Sequence, residues 1–130
     1  MGADVIAEVG AARYLALTTY RRDGRAVTTP VWPVTLDGRL FVGTTQNTGK
    51  IKRLRHRDRV RFAPCDHSGK RILGPWHEGR AERLPEGRVP PDLLGALQRK
   101  YGWQYHLVML LYRLRGLYAQ RTALELHPDA

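Results

Sequence analysis

Between Thr44 and Arg61 the sequence gathers its densest anion-binding chemistry. The run Thr44-Thr45-Gln46-Asn47-Thr48-Gly49-Lys50-Ile51-Lys52-Arg53 lies where an extended segment gives way to helical spacing. A helix N-terminus presents unpaired N–H groups and the positive end of its dipole, which favours a phosphate. Thr44, Thr45 and Thr48 add hydroxyl donors, Gly49 lets backbone approach closely, and Lys50 and Lys52 supply charge. The run is neither a Walker loop nor a dinucleotide-binding fingerprint, so a capped surface helix with solvated lysines is the plain alternative. From Lys50 to Arg61 there are seven Lys/Arg and one acid, Asp58. Arg53, Arg55, Arg57, Arg59 and Arg61 form either a solvated basic face or an anion groove beside the phosphate site. No helix-turn-helix, zinc or RNA-recognition signature accompanies them, and no aromatic residues interleave for base stacking.

Catalytic constellations are sparse. Neither G-x-S-x-G nor H-E-x-x-H occurs. Cys65, Asp66, His67 and His77 are spaced too irregularly to indicate a metal site, and no general base accompanies Cys65. Trp32, Trp76 and Trp103 are core candidates by residue type. Trp32 differs because it lies between Pro30 and Pro33, on a strand facing the same end as Thr44, where an aromatic can pack on a planar ring.

Short strands must position these residues. A helix is expected over Asp4–Ala12. Arg13–Tyr20 then alternates, with Leu15, Leu17 and Thr19 on one face. Asp23-Gly24 and Asp37-Gly38 are hairpin signals. They bracket a Val- and Thr-rich return strand, Ala26–Thr35, and Leu40–Thr44 completes an expected three-strand meander. Pro30 and Pro33 call for a bulge or an open edge near Trp32. Lys50–Arg57 reads as a short helix capped by Asn47 or Thr48. Arg59–Pro64 reads as a strand, Ser68-Gly69 as a turn, and Arg71–Leu84 as a longer, irregular strand. Pro85–Pro91 is a linker. Asp92 can cap a helix running to Tyr101, Gly102 breaks it, and Trp103–Leu114 forms another with Leu107, Leu110, Leu111 and Leu114 on one face. Gly116 stops that helix, and Tyr118–Leu126 is the last strand.

Six strands with close turns point to a small antiparallel barrel, not a crossover-connected parallel sheet. The 130 residues suit one domain, 1–130, and 42% hydrophobic with 26% charged residues is a globular balance. A net charge of +10 calls for an anionic partner. One cysteine excludes an internal disulfide framework. No apolar run approaches a membrane span and no signal-peptide pattern opens the chain, so a cytoplasmic location is expected.

Taken in order, Leu17-Thr18-Thr19-Tyr20, the two Asp-Gly hairpins, Thr29-Pro30-Val31-Trp32, Thr44 to Lys52, Arg59 to Asp66, Glu78-Gly79-Arg80-Ala81 and Lys100-Tyr101-Gly102-Trp103 carry a resemblance. The chain resembles the pyridoxamine 5′-phosphate oxidase-like split β-barrel superfamily, and within it the deazaflavin (coenzyme F420)-dependent oxidoreductases. The resemblance implies a mainly β (α+β), six-stranded antiparallel split barrel of the FMN-binding type with short flanking helices. It also implies a homodimer with cofactor sites at the interface. Thr48, Gly49, Lys50 and Lys52 would then grip the cofactor phosphate. Thr29, Pro30, Val31 and Trp32 would line the ring with Thr44 and Thr45 nearby, and Trp76 and Trp103 would approach from the partner subunit. Arg55 and Arg57, within the Arg53–Arg61 run, would meet the acidic tail of the deazaflavin. The C-terminal Arg-rich substrate signature of true pyridoxamine phosphate oxidases is missing, which argues against vitamin B6 oxidation.

The activity implied is hydride transfer from reduced F420 to an electron-poor small molecule, with the proton donor unassigned. Three alternatives stand beside it. They are an FMN-dependent oxidoreductase of the same fold, a cofactor-binding protein without turnover, and, ranked last, a basic nucleic-acid-binding barrel; the expected partner is not a nucleic acid.

Overall fold

The computed structural model describes residues 2–45, 49–85, 88–116 and 121–129. In chain order the elements are α1 (Gly2–Gly10), β1 (Tyr14–Tyr20), β2 (Ala26–Val31), β3 (Pro33–Leu36), β4 (Arg39–Thr45), α2 (Gly49–Leu54), β5 (Arg59–Cys65), β6 (His77–Arg83), α3 (Leu93–Tyr101), α4 (Trp103–Leu114) and β7 (Arg121–Pro128). The strands form one antiparallel sheet in the order β2-β1-β5-β6-β7-β4-β3.

There are seven strands where six were expected, and Trp32 is the reason. The Ala26–Thr35 return strand breaks there into β2, which pairs with β1, and β3, which pairs with β4. The two halves lie at opposite edges of the sheet, yet one residue separates them. Two residue steps span about 7 Å at most, so the edges must meet at this corner and the sheet must curl into a half-barrel. The expected meander is therefore two hairpins sharing one bent strand. Pro30 and Pro33 both fall on edge strands, where a missing N–H costs no ladder bond.

Inside the curl, directly opposed residues share a face. Leu15 and Leu17 of β1 meet Val31 and Thr29 of β2, and Leu17 meets Phe62 of β5. Leu40, Val42, Leu124 and Leu126 close the far wall, with Val5, Ile6 and Val9 of α1 and Ile51 and Leu54 of α2 plugging the ends. A second core lies outside β3, β4 and β7, where Val34, Phe41 and Ala123 pack under Leu93, Leu97 and Tyr101 of α3 and Tyr105 of α4. Every residue from Ala123 to Leu126 is consequently buried, so this stretch of β7 is covered on both faces.

Turn chemistry is local and mostly as expected. Asp37 (φ 54°) and Gly38 (φ 74°) make the left-handed pair of a tight hairpin. Asp23-Gly24 lies in a wider loop closed by Arg21 N–H donating to Arg25 C=O at 2.9 Å. Gly69 (φ 78°) brings the turn after β5 so close to the Pro30 ring that a Cβ would lie 3.0 Å from it. The long strand expected over Arg71–Leu84 is limited to β6, with Ile72 contributing only an isolated bridge to Cys65. Asp92 precedes α3 but its side chain makes no capping bond. Asn47, Thr48 and Tyr118 lie outside the described residues.

Lys100, near the end of α3, holds the corner in place. Its ammonium donates to the carbonyls of Gly10 (2.7 Å), Ala12 (2.6 Å) and Pro33 (2.6 Å). The Tyr101 hydroxyl lies 2.9 Å from the same Pro33 carbonyl and 3.0 Å from that of Arg13. Burial, reinforced by the Arg13 charge, pulls the Lys100 ammonium down to about 8.

Candidate functional site

The two hydroxyls of the barrel wall nearest α2 come from Thr19 of β1 and Thr29 of β2. Thr29 faces inward because it pairs with Leu17; Thr19 pairs with Val27 two residues along and is fully buried. Ile51 anchors α2 in the barrel, and Lys50 and Arg53 are turned onto one flank by their three-residue spacing. Lys50 Nζ donates to Thr29 Oγ1 at 3.1 Å, and Arg53 Nε donates to Thr19 Oγ1 at 2.5 Å. Gly49 has no side chain, and the Arg53 guanidinium folds back over it, 2.7 Å from where a Cβ would sit.

This arrangement is electrostatically incomplete. Burial lowers the Lys50 ammonium below the usual lysine range, and the Arg53 charge lowers it further. Arg53 is lowered by burial and by Arg21. Among the described residues neither Lys50 nor Arg53 forms a salt bridge, so neutral hydroxyls are the partners of two half-buried cations. Partly buried charges without counter-charge are costly, and a small anion lodged between them would remove that cost. The donor set, an ammonium, a guanidinium and two wall hydroxyls, fits a phosphate.

The other sequence candidates do not all converge here. Val31 is a core residue and Pro30 is exposed on the opposite face. Trp32 stacks on Tyr101 in the outer core, centroids 4.1 Å apart with the planes at 12°. Thr44 and Thr45 end β4, paired with Thr122 and Arg121. Thr48 lies outside the described residues. Lys52 is exposed on the far side of α2 from Lys50. Arg55 is exposed, and Arg57 donates to the Arg22 carbonyl at 3.2 Å across to the β1–β2 turn. Trp76 lies under the Arg61 guanidinium, 4.5 Å from its ring centroid, and Trp103 stands in solvent at the start of α4.

The basic run therefore divides. Arg59 leaves it altogether, forming a two-pronged pair with Asp129 at 2.9 and 2.6 Å. The part that stays together is Lys50, Arg53 and Arg21, joined toward the turn by Arg57 and by Arg22, whose Nε donates to His56 Nε2 at 3.3 Å. Sequence reasoning did not single out Thr19 or Arg21. The one available signal was the inward alternation of β1, which places Thr19 with Leu15 and Leu17.

A second charged cluster lies on β6 and β7. Glu82 and Glu125 face each other directly across the ladder, an unfavourable pairing that cations offset. Arg39 grips Glu125 with two bonds of 2.9 and 2.7 Å, Arg88 reaches Glu82 at 2.9 Å, and His127 Nε2 lies 3.1 Å from Glu82. Hydrogen bonding from Arg39 holds the Glu125 carboxyl below the usual range. Glu82, Glu125 and His127 are the group with metal-ligand spacing among the described residues, but both carboxylates are already engaged by arginines. Cys65 is buried and its thiol is pushed up by desolvation, while Asp66 is spent on its own turn, accepting from Ser68.

No family model matches the chain, and no curated protein matches it. Solved structures do match, at identities that speak for the fold alone. HutZ, a heme storage protein of Vibrio cholerae, superposes with TM-score 0.65 at 14% identity over 98% of this chain and 89% of its own. An F420 reductase gives 0.57 at 18% identity over 95% and 92%. A FAD-binding protein of Mesorhizobium loti gives 0.55 at 21% identity over 100% and 90%. The curled antiparallel sheet with short helices is thus an architecture shared with split-barrel proteins.

Proposed function

We propose that this chain is a deazaflavin-dependent oxidoreductase that holds the cofactor phosphate against Lys50, Arg53, Thr19 and Thr29 and reduces an electron-poor small molecule. The observation that carries the reading is the pair of half-buried cations on α2, which donate to wall hydroxyls and form no salt bridge among the described residues. Reduced F420, when bound, supplies a hydride. The chain's own residues bind and orient. Lys50 and Arg53 neutralise phosphate charge, Thr19 and Thr29 keep both cations from rotating into water, and Ile51 and Leu54 exclude water from the barrel side of α2. Arg21, Arg22 and Arg57 extend the positive surface away from the phosphate, in the direction that an acidic tail would follow. The same reading keeps the expectation that Thr48 and Gly49 grip the phosphate with Thr44 and Thr45 near the ring, and that two copies of the chain share the cofactor.

A flavin reading has comparable support, since a FAD-binding protein shares the fold as an F420 reductase does. Storage without turnover is likewise represented among the matches. The test is a titration of the purified protein with F420 and with FMN, followed by intrinsic tryptophan fluorescence, then a substrate screen with the reduced cofactor. Tighter binding of F420 with turnover supports the proposal. Tighter binding of FMN transfers the function to a flavoprotein, binding without turnover favours storage, and binding of neither sinks all three.

A further inference from the structure

Gly49 is a glycine that its own backbone does not require. It opens α2 outside the left-handed region that favours glycine, and it is exposed. Alanine is the better helix former at such a position. What an alanine would meet is Arg53. Among the described residues, the three atoms nearest to a Cβ built on Gly49 all belong to that guanidinium, at 2.7, 3.5 and 3.7 Å. At 2.7 Å something must move. A long side chain usually swings away at little cost, but this one is pinned on its other side. Its Nε donates at 2.5 Å to Thr19 Oγ1, and Thr19 is fully buried in the barrel wall. The guanidinium therefore sits between a wall hydroxyl and a bare Cα, and it holds that place against the repulsion of Arg21 and Lys50. The same four-residue spacing recurs at Gly95 and Arg99 of α3 without the pin. There the distance is 3.2 Å, and Arg99 is exposed with no hydrogen bond among the described residues.

We propose that Gly49 is a positioning residue that acts through Arg53: its missing side chain seats the guanidinium on Thr19, and the seat gives the anion site its second cation. The inference rests on the anion site proposed above. It changes the part of Gly49 from direct contact with the phosphate to shaping the donor that meets it. A seated arginine offers its remaining N–H groups with its rotamer already fixed, so less freedom is lost on binding. An alanine at 49 would keep both charges in the chain and release one of them into water.

Two measurements separate the seat from the function. The first uses the ligand-free protein and follows the Arg53 Nε–H resonance by NMR, identified by its loss in Arg53→Lys. It should exchange slowly with water, because its acceptor is buried. Gly49→Ala should return it to the fast exchange of a solvated arginine, and Gly95→Ala should not. The second is a titration with F420 and with FMN. Arg53→Ala should weaken binding at least about tenfold and Gly49→Ala about three- to tenfold. Gly49→Ala added to Arg53→Ala or to Arg53→Lys should cost less than about a further twofold, since the guanidinium it displaces is already gone. Circular dichroism should match the parent throughout. A slow Nε–H that survives Gly49→Ala overturns the seat. Equal losses from Gly49→Ala with and without Arg53 overturn it as well, and return Gly49 to direct contact with the phosphate. A parent that binds neither cofactor overturns the function proposed above, while the resonance still decides the seat.

Discussion

Replacing Lys100 by Met keeps the apolar stem and deletes the ammonium that ties α3 to the corner of the barrel. Three carbonyls lose a donor, but Pro33 keeps the Tyr101 hydroxyl, so Gly10 and Ala12 are the two left short. An unsatisfied buried carbonyl costs roughly 1–3 kcal/mol, giving a gross loss of about 2–6 kcal/mol. Against this stands the relief of burying an ammonium. The fall from 10.5 to about 8 corresponds to about 3.4 kcal/mol at most, and roughly half of that after screening, because Lys100 is only partly buried. The net loss is then between about 0.3 and about 4.3 kcal/mol, centred near 2.5. With an unfolding entropy of roughly 2.1 cal/mol/K per residue, a loss of about 2.5 kcal/mol lowers Tm by about 9 °C. Differential scanning calorimetry at pH 7.5 measures this directly. The pH dependence supplies a second check. The folded-state value lies below the unfolded one, so between about pH 8 and 10.5 the unfolded chain binds more protons, and this group's contribution to stability rises with pH. The gap in Tm between parent and variant should therefore widen from pH 7 toward pH 10. A Tm within about 2 °C of the parent at pH 7.5, with no widening, would refute the clasp and mean that water replaces the ammonium at little cost.

Lys50→Ala should weaken F420 binding by about 1.5–3 kcal/mol, about 10- to 150-fold in Kd, whereas Lys52→Ala, on the far side of α2, should leave it within about twofold in the same titration. Gly79→Ala should destabilise by about 1–3 kcal/mol in urea unfolding, because its Cβ would sit 2.3 Å from the His127 carbonyl oxygen, a backbone atom that cannot swing aside. Glu125→Gln should lower Tm at neutral pH. The parent's carboxyl titrates below its unfolded value, so its contribution is present above that value and is lost as pH falls through the folded one, and the two melting curves should converge in acid. Equal melting of the two proteins at pH 7 would mean that the Arg39 pair contributes nothing.

How far the sequence could be read depended on whether the deciding interaction was local. Gly38, Gly69, Gly102 and Gly116 all adopt positive φ where turns or helix ends were expected, because a glycine's backbone freedom needs no distant partner. The prolines around Trp32 announced an interruption. Whether it would be a bulge or a full parting of two strands depended on β2 finding β1 and β3 finding β4 at opposite edges. The α2 cluster was half legible. Lys50 stood out by type, but its companions Thr19 and Arg21 arrive from a hairpin some thirty residues earlier. The basic run misled in the opposite way, since neighbours in sequence diverged to Asp129, Trp76 and Thr19 once strand alternation and the end of α2 intervened.

The place of β7 in the sheet bears on how the protein is made. The strand formed last in sequence is fifth of seven in space, wedged between β6 and β4. Until residues through Pro128 have left the ribosome, β2-β1-β5-β6 and β4-β3 are separate sheets with two raw edges facing an empty slot. Their pairing partners are far away in sequence, the slow kind of contact to form. A nascent or truncated chain is therefore a natural client for chaperones that mask strand edges, and an extended peptide of matching pattern could occupy the slot in trans.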